Sequence, residues 1–168
     1  VIDPDVVDLS NLQRQVLHTT DRVGLSKVES AKQAVAAINP DVELELYEER
    51  LTPDNVMELF GRYDVVADGT DNFETRFLIN DAAYFAHIPL VSAAILRFDG
   101  QISTYKAFEM GEGGDHGPCY RCIFREPPPP GQIPSCAEAG VLGALCGVMG
   151  SLQATEVVKE IMDIGETL

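Results

Sequence analysis

The sequence predicts an α/β fold: a mostly parallel sheet with helices on both faces, extended by a β-like segment and a crossover loop. Three observations predict it. Short apolar, strand-like runs alternate with stretches of helical period as far as Ala94, the pattern of a parallel sheet covered on both sides. Acids stand at the ends of two such runs, Asp3 and Asp68. A length of 168 residues fits one domain with a sizeable core.

Val1-Ile2-Asp3 reads as the end of a buried strand, which needs a neighbour and implies further sequence upstream. A polar loop containing Pro4 follows. Ser26 is placed to N-cap a helix running to Asn39, with Val28, Ala31, Val35 and Ile38 at helical spacing. Such a cap contributes about 1 kcal/mol. Asn39-Pro40 stops that helix. Val42, Leu44 and Leu46 alternate with acids, as in a strand with one wet face. Pro53 suits the first turn of a short helix holding Val56, Met57, Leu59 and Phe60. Asp64 to Ala67 reads as a strand. Phe73 to His87 reads as a helix whose core positions are Phe73, Phe77, Ala83 and Tyr84. Pro89 to Ala94 reads as a second buried strand.

The pattern then changes. Asp99-Gly100 signals a turn, and Gln101 to Ala107 is β-like. Glu109 to Pro118 is acidic and glycine-rich, as in a mobile loop. The prolines from Pro127 to Pro130 make an extended connector. A last helix is predicted from about Ala139 to Ile164. Its Gly140, Gly143, Gly147 and Gly150 suggest close packing against other backbone. There is no internal repeat.

The net charge is −15 and the hydrophobic fraction 45%. That acidity argues against nucleic acid as a partner, because a phosphate backbone would be repelled. It either steers a basic partner or forms a solvated acidic surface. No apolar run is long enough for a bilayer, and Glu138, Glu156, Lys159 and Glu160 oppose a membrane reading of the last helix. No signal peptide is evident, so a cytoplasmic protein without membrane contact is expected.

Chemistry-bearing residues concentrate in two stretches. In the first, Asp3 ends its strand where a Rossmann-like sheet presents an acid to a ribose hydroxyl. Arg14 offers a planar fork for phosphate oxygens. Lys27 opens a helix, whose N-terminus favours an anion. In the second, Asp68 and Asp71 flank Gly69-Thr70 after a buried strand, where two acids suit a hydrated magnesium bridging phosphates. Asn72 suits a helix cap. The alternatives are surface charges for Arg14 and Lys27, and turn or cap residues for Asp3 and Asp71.

The four cysteines do not form a disulfide framework. Cys119-x-x-Cys122 has the spacing of half a zinc site. Cys136 precedes the last helix, whose N-terminus lowers a thiol pKa. It is a candidate nucleophile or an inert, partly buried cysteine. Cys146 reads as core.

Taken together these segments resemble the MoeB/ThiF/HesA family, bacterial relatives of ubiquitin-activating enzymes. The matching pieces are DxDxVxxSNLQRQ from Asp3 to Gln15, GxxK at Gly24 to Lys27 followed by VESA, and INP at Ile38 to Pro40. DGTDN at Asp68 to Asn72, PLVSAA, DGQ, CYRC, CAEAG and GSLQATEVVK complete the set. The resemblance runs almost the whole length.

The resemblance implies one ThiF-type nucleotide-binding domain over residues 1–168. It implies ATP- and magnesium-dependent adenylation of the C-terminal glycine of a small ubiquitin-like sulfur-carrier protein ending in Gly-Gly, of the molybdopterin-synthase or thiamine type. Asp3 is then the ribose ligand. Ser10, Asn11, Leu12 and Gln13 line the nucleotide pocket. Arg14 and Lys27 act on the phosphates, Asp71 holds magnesium, and Asn72 lies beside it. Cys136 matches a position that carries a covalent link to the carrier in part of the family. Cys119 and Cys122 match the first half of a structural zinc site, and a homodimer is implied. The family's glycine-rich loop lies upstream of Asp3, and its second cysteine pair lies downstream of Leu168. The segment alone is therefore expected to adenylate poorly. The alternatives are a tRNA threonylcarbamoyladenosine dehydratase-type adenylating enzyme and an inactive fragment of the fold.

Overall fold

The computed structural model describes residues 1–111, 113–129, 132 and 140–168. The chain divides into two compact units, Val1–Leu51 and Thr52–Leu168.

In the first unit Ile2 forms one parallel bridge with Tyr47. Asp3 N–H donates to Tyr47 O at 3.1 Å, and Tyr47 N–H donates to Val1 O at 2.9 Å. The amine of Val1 also donates to Glu45 O, at 2.8 Å. Beyond Tyr47 the next donor a parallel ladder would use is Asp5 N–H, which turns onto Asp3 Oδ1 instead, at 2.9 Å. The strand predicted over Val42 to Leu46 does not form as a regular strand. Val7 is almost fully buried and bonds Leu25 O at 2.8 Å through its N–H. Its own carbonyl accepts from Gly24, at 2.9 Å. Gly24 sits at φ 89, a left-handed angle that favours glycine.

Helix α1 spans Lys27–Ile38 and buries Val28, Ser30 and Ala31. Two expectations fail here. Ile38, predicted to face the core, is 83% exposed. Ser26 stands at the N-cap but makes no side-chain cap bond, and its Oγ is buried without a partner. It contributes the extended entry to the helix but not the predicted hydrogen bond.

The second unit holds α2 (Val56–Phe60), β1 (Val66–Asp68), α3 (Phe73–Ala86), β2 (Leu90–Leu96), β3 (Asp99–Tyr105), α4 (Tyr120–Ile123) and α5 (Gly143–Met162). The sheet has the order β1-β2-β3. β1 runs parallel to β2, with Val66 opposite Leu90 and Asp68 opposite Ser92. β3 returns antiparallel, from Leu96↔Asp99 to Leu90↔Tyr105. The α/β class is as predicted. The reversal is not at Asp99-Gly100, which lie inside β3. It is at Arg97-Phe98, with Arg97 at φ 56.

α3 begins at Asn72, whose side chain accepts from Thr75 N–H. It ends at His87 in the left-handed conformation, where Ile88 N–H bonds Ala83 O at 3.0 Å. Phe77 is buried, but Tyr84, predicted as core, is exposed. Leu90 to Ala93 are buried within this unit.

α5 packs on β2 and β3. A Cβ at Gly100 would lie 2.5 Å from Met149 Sδ, so the bare backbone there admits the helix. The glycines of α5 itself do not behave as predicted. Among the described residues nothing lies within 4 Å of a Cβ at Gly147 or Gly150. Cys146 is half-buried rather than core. The stretch after Glu109 is drawn together by a bridge between Met110 and His116.

Candidate functional site

The polar segment of the first unit is organised by a short 3-10 turn, Leu9–Asn11. Asp8 caps it. Its carboxylate accepts from Ser10 N–H at 2.8 Å, while Asp8 N–H donates to Asn11 Oδ1 at 3.4 Å. The Ser10 hydrogen bonds hold the Asp8 carboxyl below its usual range. The next turn brings Arg14 back over this one, and its Nη1 donates to Ser10 O at 3.1 Å. Leu12 is half-buried and Gln13 exposed.

Lys27 is neither a free cation nor a surface charge. Its Nζ lies 2.9 Å from Asp5 and 3.6 Å from Asp3. The structure thus brings together Asp3 and Lys27 through Asp5, to which no role was assigned from sequence. Behind them, His18 Nδ1 meets the buried Ser30 Oγ at 2.8 Å, and Arg22 donates to Ser30 O at 3.1 Å. Burial, then the charge of Lys27, pushes the His18 pKa down. Among the described residues Gln15 Oε1, like Ser26 Oγ, is buried without a partner, whereas buried polar atoms are ordinarily satisfied.

In the second unit the Asp68–Asn72 turn leaves the carboxyl end of β1, the rim where parallel sheets bind ligands. Asp68 is 2% exposed and fully engaged. Its Oδ1 accepts from the N–H and hydroxyl of Thr70 at 2.8 and 2.7 Å. Its Oδ2 faces Ser92 Oγ at 3.1 Å and Arg76 Nη1 at 3.4 Å. Asp68 is therefore not the second magnesium acid that its position suggests, because its oxygens already hold the turn. Asp71 differs. It is exposed, and among the described residues no hydrogen bond or ion pair engages its carboxylate. Asn72 is the α3 cap, and its carbonyl oxygen is used in that role.

Cys119 is the N-cap of α4 and Cys122 lies within its single turn, with sulfurs 3.7 Å apart. The turn is clamped to α3. Asn80 Oδ1 accepts from Tyr120 N–H at 2.8 Å, and Arg121 forks onto Asp81 with two bonds of 2.6 Å. Backbone and thiol hydrogen bonds from Cys119 pull the Cys122 thiol pKa down. Cys136 lies outside the described residues.

The model of the ThiF family matches residues 1–168. The chain belongs to the ThiF family. That family is Rossmann-like. The whole chain is 51% identical to a probable adenylyltransferase/sulfurtransferase MoeZ of Mycobacterium tuberculosis, covering 42% of that protein. It is 49% identical to a sulfur carrier protein adenylyltransferase of Thermus thermophilus, covering 61% of it. It is 50% identical to a SAMP-activating enzyme E1 of Haloferax volcanii, covering 59% of it. The chain thus spans about half the length of these curated relatives.

The residues of this ThiF-family chain fit the groups its family implies. One free carboxylate, Asp71, suits magnesium, which takes one or two carboxylates and completes its shell with phosphates and water. Two thiolates on a tetrahedral zinc stand ~3.8 Å apart for Zn–S bonds of ~2.3 Å, close to the 3.7 Å of Cys119 and Cys122. Among the described residues no three His, Cys, Asp or Glu side chains converge on one point. No described helix is long and apolar enough to cross a membrane.

Proposed function

We propose that this chain is part of an enzyme that uses ATP to adenylate the C-terminal glycine of a small ubiquitin-like sulfur-carrier protein. The match over every residue to relatives bearing adenylyltransferase names carries the reading. The unengaged Asp71 carboxylate at the end of β1 supports it. The carrier carboxylate attacks the α-phosphorus, pyrophosphate leaves, and an acyl-adenylate results. The attacking group is already an anion, so no general base is required, and catalysis rests on position and charge.

Asp3 takes the ribose, and Ser10, Asn11, Leu12 and Gln13 line the nucleotide. Arg14 and Lys27 neutralise the phosphates; Lys27 is available because its partners are exposed carboxylates that can release it. The orphaned Gln15 Oε1 and Ser26 Oγ are further polar capacity for a ligand. Asp71 holds magnesium, with Asn72 beside it, and when bound that ion offsets charge on the departing pyrophosphate. Cys119 and Cys122 fill two corners of a structural zinc. Cys136 serves a later covalent step with the carrier. The acidity of the chain disfavours the tRNA-directed alternative.

A homodimer in the cytoplasm completes the proposal. The face of α5 turned to the sheet carries Gln153, Glu156 and Glu160, while Val148, Leu152 and Ile161 are exposed. An inside-out helix of this kind favours a second copy over solvent. Sedimentation of the full-length protein as a monomer at micromolar concentration would rule this out.

The decisive experiment is ATP–pyrophosphate exchange by the full-length protein with its carrier. Arg14→Ala and Asp71→Ala abolish exchange. Cys136→Ala spares exchange and blocks only the subsequent sulfur or thioester step. Normal exchange in both of the first two variants overturns the reading.

A further inference from the structure

Arg76 is 7% exposed, at a core-facing position of α3, although its charge does not suit a core residue. A buried ion pair is weak as a source of stability, because the cost of desolvation roughly cancels the attraction. The contacts of Arg76 point to another purpose. Nη1 reaches the Asp68 carboxylate at 3.4 Å and Ser92 Oγ at 3.3 Å. Nη2 donates to Thr70 O and, at 2.9 Å, to Ala93 O. One guanidinium thus ties β1, β2 and the turn between β1 and α3 to a single point. Gln153 of α5 adds a second tie, its Nε2 donating to Asp68 O at 2.8 Å and Val91 O at 2.9 Å.

The result is a frame around one residue. Thr70 is fixed through its N–H, its hydroxyl and its carbonyl. Asn72 is fixed as the cap of α3. Asp71, between them, keeps an unengaged carboxylate in solvent. Both neighbours are held while the group itself is free, which is how a ligand is preorganised without being consumed by the scaffold.

We propose that Arg76 is a positioning residue: its fork onto Thr70 O, Ala93 O and Asp68 sets the direction in which Asp71 presents its carboxylate to a nucleotide-bound divalent cation. This rests on the magnesium role of Asp71 given above.

The test uses the full-length protein. Arg76→Met alone strands the Asp68 charge and risks unfolding, so the informative variant is Arg76→Met/Asp68→Asn. Asparagine keeps the Oδ1 acceptor for Thr70 while removing the unpaired charge. Arg76→Lys keeps the charge but not the fork. Two readouts are needed: binding of Mn²⁺ by electron paramagnetic resonance in the presence of a non-hydrolysable ATP analogue, and exchange as a function of Mg²⁺. The double variant keeps its thermal midpoint within a few degrees, yet binds Mn²⁺ about tenfold more weakly or worse and loses a similar factor in kcat, as supporting groups of metal ligands typically do. Arg76→Lys falls between it and the parent. Parent-like Mn²⁺ binding in the double variant, with binding lost in Asp71→Asn, overturns the assignment of Arg76 alone. Full recovery by Arg76→Lys overturns the role of the fork. Parent-like binding in Asp71→Asn overturns the magnesium reading and this inference with it.

Discussion

Lys27 of the first unit and Arg76 of the second are both basic residues paired with aspartate, and they do different work. The Lys27 side chain is 14% exposed, but its partners Asp3 and Asp5 are 35% and 58% exposed. Arg76 and Asp68 are 8% and 1% exposed. A pair open to water is held weakly and exchanges partners readily. A buried pair with four ties to backbone and side chains does not exchange. A charged pair can therefore either exchange partners or fix the backbone around it, and burial of the carboxylate decides which. Asp71 and Asp68, three residues apart, divide in the same way.

The largest effect expected tests that division. Arg76→Met leaves Asp68 charged, buried and unpaired, at a cost of roughly 3–5 kcal/mol. Lys27→Met costs no more than about 1 kcal/mol, yet it removes nucleotide affinity. Urea unfolding of both variants, with ATP binding by calorimetry for the second, makes the comparison. Equal stability losses would break it.

The next effect sharpens the contrast between glycines. Gly100→Ala drives a methyl against Met149, and overpacking of this kind costs about 1–3 kcal/mol. Gly147→Ala meets open space, and alanine favours a helix interior over glycine by about 1 kcal/mol. The two changes should move the urea midpoint in opposite directions. A loss of stability in Gly147→Ala would mean that a partner packs on α5 at that position, as the proposed second copy would.

Much of this was legible in the sequence, and the failures have causes. Helices α1, α2, α3 and α5 and the β1-β2 pair were legible from periodicity, because α3 and α5 pack against neighbours along their length, whereas the single turn of α4 was not read. The Val42–Leu46 strand failed because alternation describes a face and supplies no partner. The glycines of α5 were misread for a similar reason. Small residues permit close approach and do not supply what approaches. Arg14, Lys27 and Asp71 stand out as candidates from motif and placement. Their supports were missed, although Arg76 and Asn80 left a signal. They share the core-facing positions of α3 with Phe73, Phe77 and Ala83, where a polar residue demands a buried partner. The Asp8 cap was equally visible, as the D-x-x-N of a capping box.

The smallest effect expected concerns pH, and it returns to the first unit. His18 touches the buried Ser30 hydroxyl, and its pKa lies below the ordinary 6.5, through burial first and then the charges of Lys27 and Arg22. Asp3 opposes the shift. A depressed folded pKa means that the unfolded chain takes up the proton more readily as pH falls. The contribution of neutral His18 is therefore fully present above the ordinary histidine pKa and is lost as pH drops through the folded value. Urea midpoints followed from pH 7 to pH 5 should fall, and His18→Gln should flatten that part of the curve. Lys27→Met removes one of the charges that depress the histidine, so it should reduce the slope without abolishing it. A slope untouched by Lys27→Met would mean that the lysine charge is spent entirely on Asp3 and Asp5 and is not felt at the imidazole. Lys27 would then be bound as tightly as Arg76, and the distinction between an exchangeable and a fixed cation would fail at the residue where it matters most.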